Sequence, residues 1–199
     1  MPSTMIHLSV AHEVEPEAPD FFWIGNFAPD YTNDTALKDQ IHLRNTPDRW
    51  ASLEKLYEEI DKENPFERGW VLHLFVDAYW DVKQILEYRD WYISTYAGEN
   101  WFPHYREEIG WVSYYLYHHL PWSKNIWSSI KDAKLVNINS SLPITLAENE
   151  WYRDRVARKH AESDPMQIPQ LFTEDRIMDF SLSTANRYRE WISAHSESI

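Results

Sequence analysis

A chain of 199 residues without a cysteine has neither a disulfide framework nor a thiolate metal site, and it is long enough for one sizeable domain but too short for two ordinary ones. Its 32 acidic residues against 19 basic ones, a formal net charge of −13, exclude the basic footprint of a protein that grips a long nucleic acid. Four glycines against eleven tryptophans, twelve tyrosines and eight phenylalanines favour helices over a turn-rich β fold.

Helices are expected along most of the chain. The first runs from Met5 to Val14 and gives way to the break Glu15-Pro16-Glu17-Ala18-Pro19-Asp20. A short one from Phe21 to Asn26 is ended by Pro29, and residues 31–46 read as an irregular polar loop. Thr46, Pro47 and Asp48 open a helix over Arg49 to Lys62, with Thr46 as its cap and Pro47 in its first turn. Asn64 and Pro65 begin a long central helix reaching Tyr88. Another covers Asn100 to His119 and stops before Pro121; shorter ones follow from Ser123 to Ala133 and from Thr145 to Ala161, and the last spans Thr173 to His195. With no repeat, low-complexity tract or dividing linker, residues 1–199 read as one all-α domain. No run approaches the ~20 apolar residues of a membrane span, and the N-terminus lacks the charged start and long apolar stretch of a secretory signal. A cytoplasmic protein is expected, and the lack of cysteine permits a reducing compartment.

The central helix carries the chemistry. In Gly69-Trp70-Val71-Leu72-His73-Leu74-Phe75-Val76-Asp77 an imidazole and a carboxylate stand four residues apart in an apolar run. On a helix that spacing puts them on one face, about 5–6 Å apart at Cβ, close enough to hold one cation or two neighbouring ones. A buried charge needs a partner. Either a cation supplies it, or the histidine and aspartate satisfy each other. Three more candidates sit among apolar or tightly turned neighbours: His7 in Met5-Ile6-His7-Leu8, Asp30 after Phe27-Ala28-Pro29, and His42 in Gln40-Ile41-His42-Leu43. Three imidazoles and two carboxylates suffice for two ions if one carboxylate bridges, and this donor set suits zinc or another borderline divalent metal.

The order His7, then Gly25-Asn26-x-x-Pro29-Asp30, then His42, then His73-x-x-x-Asp77 resembles the zinc-dependent phospholipase C family, which is related to the fungal single-strand nucleases. The likeness is to a bacterial intracellular form, and it covers roughly the first eighty residues well and the rest only loosely. It implies an all-α helical bundle of the phospholipase C/nuclease type whose clustered zinc ions hydrolyse phosphoesters. It further implies that Asp30, His42, His73 and Asp77 hold one zinc, that His7 holds a second with Asp77 bridging, and that Asp30 serves catalysis as a general base. The family also uses the free N-terminal amine as a ligand. Pro2 lies five residues before His7, and removal of Met1 would expose its amine; otherwise Pro2 simply starts the first helix.

A third zinc, in the same resemblance, wants a histidine six residues after the bridging aspartate, where this chain has Lys83. It also wants a later His-x-x-x-Glu pair, which His104 and Glu108 supply, with His118 and His119 as substitutes. Glu108 and His119 return to one helix face three turns apart, roughly 16 Å, too far to share an ion. Two zinc ions are therefore expected before three. The implied activity is hydrolysis of a small phosphoester or a phospholipid. Two other readings remain: a metal-stabilised binding module without catalysis, suggested by Lys83, and an HD-type phosphohydrolase, disfavoured because no histidine is followed directly by aspartate. The aromatics from Tyr79 to Trp127 read as bulky core, or as a wall beside the metals. The charge-rich C-terminal half reads as solvated helix faces, and His160 and His195 carry no role.

Overall fold

In a computed structural model of the chain, the described residues (1–98, 100–162 and 167–196) form nine α-helices and no strand, the all-α fold that the composition implies. They are α1 (Thr4–Val14), α2 (Asp20–Phe27), α3 (Thr35–Ile41), α4 (Arg49–Glu59), α5 (Pro65–Tyr96), α6 (Trp101–His119), α7 (Ser123–Asp132), α8 (Leu146–Glu162) and α9 (Glu174–Ser196). A 3₁₀ turn at Ala28–Asp30 extends α2, and another lies at Leu135–Asn137.

Local chemistry explains most of these boundaries. The Asn64 side chain accepts the Phe66 amide and Pro65 follows at the first helical position, so α5 starts where Asn-Pro places it. It runs past Tyr88 to Tyr96 because no glycine or proline interrupts it there, and Tyr88 packs its ring on Trp91 and Tyr92. Ala97, at φ 50°, ends it in the left-handed conformation.

Two expectations are corrected. Residues 35–41 are helical, not loop, because the Asp34 carboxylate accepts from both the Ala36 and Leu37 amides. The cap of α4 is Asp48, whose side chain accepts from the Ala51 amide, while the Thr46 hydroxyl instead donates to the Leu43 carbonyl and closes the preceding turn.

Every residue of α1 from Thr4 to Ala11 is buried, which makes α1 a central element packed against α2, α5, α6 and α9. The helices α2 and α5 cross with their backbones in contact. A Cβ on Gly25 would lie 1.9 Å from the Phe66 carbonyl oxygen, and one on Gly69 would lie 2.1 Å from that of Phe22, so only glycine permits this approach. One apolar core continues from Met5 on α1 to Tyr188 on α9. Trp80, Tyr88, Tyr105 and Trp127 are buried in it, as the bulky-core reading expects. That apolar surround makes any polar group at its centre costly unless partnered. No helix among the described residues is long and apolar enough to cross a membrane.

Candidate metal centre

The α1/α2/α5 crossing brings His7, Asp30, His42, His73 and Asp77 together in the interior. His73 and Asp77 lie one turn apart on α5, His7 comes from α1, Asp30 from the 3₁₀ turn after α2, and His42 from the end of α3. All five are buried, the four other than Asp30 to 1 % exposure or less.

Backbone carbonyls orient two of the imidazoles. His42 Nδ1 lies 2.8 Å from the Lys38 oxygen, and His73 Nδ1 lies 2.7 Å from the Asn26 oxygen. A carbonyl can only accept, so the hydrogen-bonding logic places the proton on each Nδ1 and leaves a lone pair on each Nε2. Those two nitrogens face each other at 3.3 Å. Two lone pairs in contact repel unless a proton or a cation lies between them. Burial, reinforced by the neighbouring His7, holds the His73 pKa well below its ordinary value, which disfavours the proton.

The spacings test whether a metal fits. A tetrahedral ion with donors at about 2.0–2.1 Å has donor–donor edges of about 3.3–3.4 Å. Besides the 3.3 Å edge to His73, His42 Nε2 lies 3.4 Å from Asp30 Oδ1 and 3.4 Å from Asp77 Oδ2. The second oxygen of Asp77, Oδ1, lies 3.5 Å from His7 Nε2, and neither atom has a hydrogen-bond partner among the described residues. The His7 ring stacks on that of His73 with centroids 3.8 Å apart. Donor atoms of His42, His73 and Asp77 all lie within 4.8 Å of one another, as do those of His7, Asp30 and His73. The geometry thus offers two overlapping groups, His42/His73/Asp77 and His7/Asp30/His73, either of which could hold an ion, while the two oxygens of Asp77 face His42 and His7 separately.

Burial pushes both carboxyl pKa values up, but the surrounding charges and contacts win. The His42 contact and the Lys38 ammonium hold Asp30 well below the usual carboxylate range. His7, His42 and His73 do the same for Asp77.

Four residues outside the sequence-based set complete the cluster. Lys38 Nζ lies 2.8 Å from Asp30 Oδ1. Arg44 Nη2 lies 3.0 Å from Asp77 Oδ2, and Arg49 Nη1 lies 2.9 Å from Asp81 Oδ2, fastening the start of α4 to α5. These three cations match Asp30, Asp77 and Asp81 charge for charge, so the carboxylates alone do not call for a metal; the facing imidazole nitrogens are the feature that a cation would fit. Asp81 was within reach of sequence reasoning, because it stands four residues after Asp77 on the same helix face. The two arginines carry no comparable local signal.

No family model, curated protein or solved structure matches the chain.

The remaining sequence candidates lie elsewhere or do other work. Pro2 is buried but follows Met1, so its nitrogen is a tertiary amide with no lone pair to offer a metal; the Met1 ammonium lies 3.8 Å from Asp81 Oδ1 and 3.4 Å from the Tyr105 hydroxyl, at the rim of the cluster. His104 is exposed, pairs with Glu107 at 3.7 Å and stacks on Tyr92. Glu108 is buried and accepts the Leu171 and Phe172 amides at 2.6 and 2.7 Å, which ties α6 to the segment before α9. His119 pairs with Glu174 at 2.9 Å, His118 Nε2 donates to the His160 carbonyl, and Lys83 is exposed. Among the described residues, none of these joins a group of three potential ligands, so the expected third site has no assembled counterpart. The His-x-x-x-Glu spacing is present on α6, but Glu108 is spent on backbone amides.

A cavity of about 350 Å³ opens beside Asp30. Met1 to Thr4, Lys38, Tyr105, Arg106, Tyr114, Tyr152, Arg155 and Lys159 contribute to its walls. His160 and Ser113 lie at its base, joined by a 2.9 Å hydrogen bond, and burial drives the His160 pKa down to about 3, so its ring is neutral.

Proposed function

We propose that the chain is a zinc-dependent phosphoester hydrolase of the phospholipase C/nuclease type, acting on a small phosphoester or a phospholipid. The observation that carries this reading is the 3.3–3.4 Å spacing of His42 Nε2 to His73, Asp30 and Asp77, the edge length of a tetrahedral site, around Nε2 atoms whose rings are turned inward by backbone carbonyls. Asp30, His42, His73 and Asp77 would hold one ion, and His7 with Asp77 would hold a second. Divalent ions at these positions supply Lewis acidity toward a phosphoryl group and lower the pKa of water.

The chain's own residues do the rest. Asn26 and Lys38 fix the two imidazoles through their carbonyls, so each presents Nε2. Arg44 and Arg49 hold the Asp77–Asp81 face of α5 in register. Among the five ligand candidates Asp30 alone lines the cavity, which makes it the carboxylate placed to take a proton from an attacking water.

A second reading, a metal-stabilised binding module without turnover, is favoured by Arg44, whose contact with Asp77 Oδ2 occupies part of that oxygen's coordination sphere. The deciding experiment strips the purified chain with a chelator, restores zinc, and measures bound metal and hydrolysis of a phosphomonoester, a phosphodiester and a phospholipid. Two zinc ions and zinc-dependent turnover are expected. A fully loaded protein inert toward all three establishes the binding module; failure to retain zinc removes both readings.

A further inference from the structure

The cavity beside Asp30 has a charge balance opposite to that of the chain. Four cationic side chains line it, Lys38, Arg106, Arg155 and Lys159, against the single carboxylate of Asp30. Lys38 is committed to that carboxylate at 2.8 Å. No carboxylate among the described residues lies within ion-pairing distance of Arg106, Arg155 or Lys159. Arg155 lies over the Trp151 ring, 5.2 Å from its centroid.

The three cations are gathered around one cavity. Arg155 and Lys159 stand four residues apart on α8, a like-charge spacing that weakens a helix. Arg106 faces them from α6 across the cavity. Lys159 reaches toward α6 over Gly110: its Nζ would lie 3.9 Å from a Cβ built there. The neutral His160 adds no charge at the base, and the Tyr114 and Tyr152 rings line the walls. At about 350 Å³ the space suits a small polar molecule.

Resting on the phosphoester reading, we propose that this cavity binds a second phosphate on the substrate, one that is not cleaved, and selects bisphosphorylated esters over those carrying a cationic head group. With the scissile phosphate at the Asp30 end of the cavity, the far phosphate meets Arg106, Arg155 and Lys159, which neutralise it by charge-assisted hydrogen bonds. A choline or ethanolamine group in the same place meets three like charges. The preference falls with ionic strength, because these side chains are solvent-exposed.

Isothermal titration of fructose 1,6-bisphosphate, fructose 6-phosphate, inorganic phosphate and phosphocholine tests this, on metal-free and zinc-loaded protein. The bisphosphate is expected to bind about ten-fold tighter than the monophosphate, and phosphocholine weaker than either. In the R106Q/R155Q/K159Q variant the bisphosphate advantage disappears while zinc content and inorganic phosphate binding persist; R106K/R155K/K159R retains much of it. Helical circular dichroism checks that both variants fold. Equal affinities for bisphosphate and monophosphate in both metal states, or an advantage that survives the triple glutamine variant, overturn the proposal. Loss of zinc binding with the bisphosphate advantage intact overturns only the hydrolase reading. Co-sedimentation with phosphatidylcholine vesicles, with and without phosphatidylinositol 4-phosphate, identifies the source of the second phosphate. Binding to the phosphorylated vesicles that needs the three cations places it on a lipid, and binding of the soluble ester alone places it on a free metabolite.

Discussion

Replacing Gly69 by alanine should disturb the proposed metal centre without touching a proposed ligand. A Cβ there would lie 2.1 Å from the Phe22 carbonyl oxygen and 2.7 Å from the Asn26 amide nitrogen, both backbone atoms that cannot swing aside. Ordinary contact needs roughly another 1 Å, so α2 must move away from α5 by about that much. The Asn26 carbonyl rides on α2 and holds His73 Nδ1 at 2.7 Å. The same movement stretches that bond beyond hydrogen-bonding length and frees the imidazole to rotate. Overpacking of this kind costs about 1–3 kcal/mol, and a buried hydrogen bond left unmade costs about 1–3 more. The better helix propensity of alanine returns only about 1 kcal/mol. The net loss of about 3 kcal/mol lowers the melting temperature of a domain this size by about 6–12 °C. Zinc affinity should fall about 10- to 100-fold, the usual consequence of losing the partner that orients a ligating histidine. Thermal melts followed by circular dichroism, with zinc competition against a chromophoric chelator, read both effects. Gly98→Ala is the control, since the nearest atom to its Cβ is 3.8 Å away. If Gly69→Ala melts and binds zinc like Gly98→Ala, the helix crossing does not position His73 and the reasoning fails.

Asp77→Ala removes the oxygens offered to both ion positions, so metal analysis should find more than one ion's worth of zinc lost, with phosphoester hydrolysis abolished; retention of a full complement would show that Asp77 does not bridge. Asp30→Asn should keep most of the zinc and lower kcat more than it raises KM, because Asp30 is the ligand candidate on the cavity wall; unchanged kcat would remove its role as base. His160 supplies a pH dependence distant from the ligands. It is buried neutral with its pKa driven from 6.5 to about 3, so the unfolded chain takes up a proton that the folded one refuses. Its contribution is complete above neutral pH and drains away as the pH falls from 6.5 toward 3, amounting to about 2 kcal/mol at pH 5. Denaturant unfolding at pH 5 and 7.5 should therefore show a smaller pH penalty for His160→Gln than for wild type, and equal penalties would contradict a buried neutral ring.

The helices and the five side chains that meet at the α1/α2/α5 crossing were legible in sequence because their signals are local. Asn64-Pro65 marks the start of α5 by capping chemistry, and His73 and Asp77 share a face by helical period alone. His7, Asp30 and His42 declared themselves as polar residues embedded in apolar or turn-bound runs, where burial demands a partner. Asp34 could have revealed α3, but a helix of seven residues leaves too short a periodic pattern to outweigh its polar surroundings. Tertiary structure decided the rest. Arg44 and Arg49 meet Asp77 and Asp81 across 32 or 33 residues of chain, a separation over which no spacing rule operates. The 3.3 Å approach of His42 to His73 depends on α2 lying against α5 at Gly25 and Gly69, a distance that only the assembled backbones define. On α6 the spacing of His104 and Glu108 suits a metal, yet the Leu171 and Phe172 amides claim Glu108. Local spacing says which side chains share a face; which neighbour that face meets is settled when the helices pack.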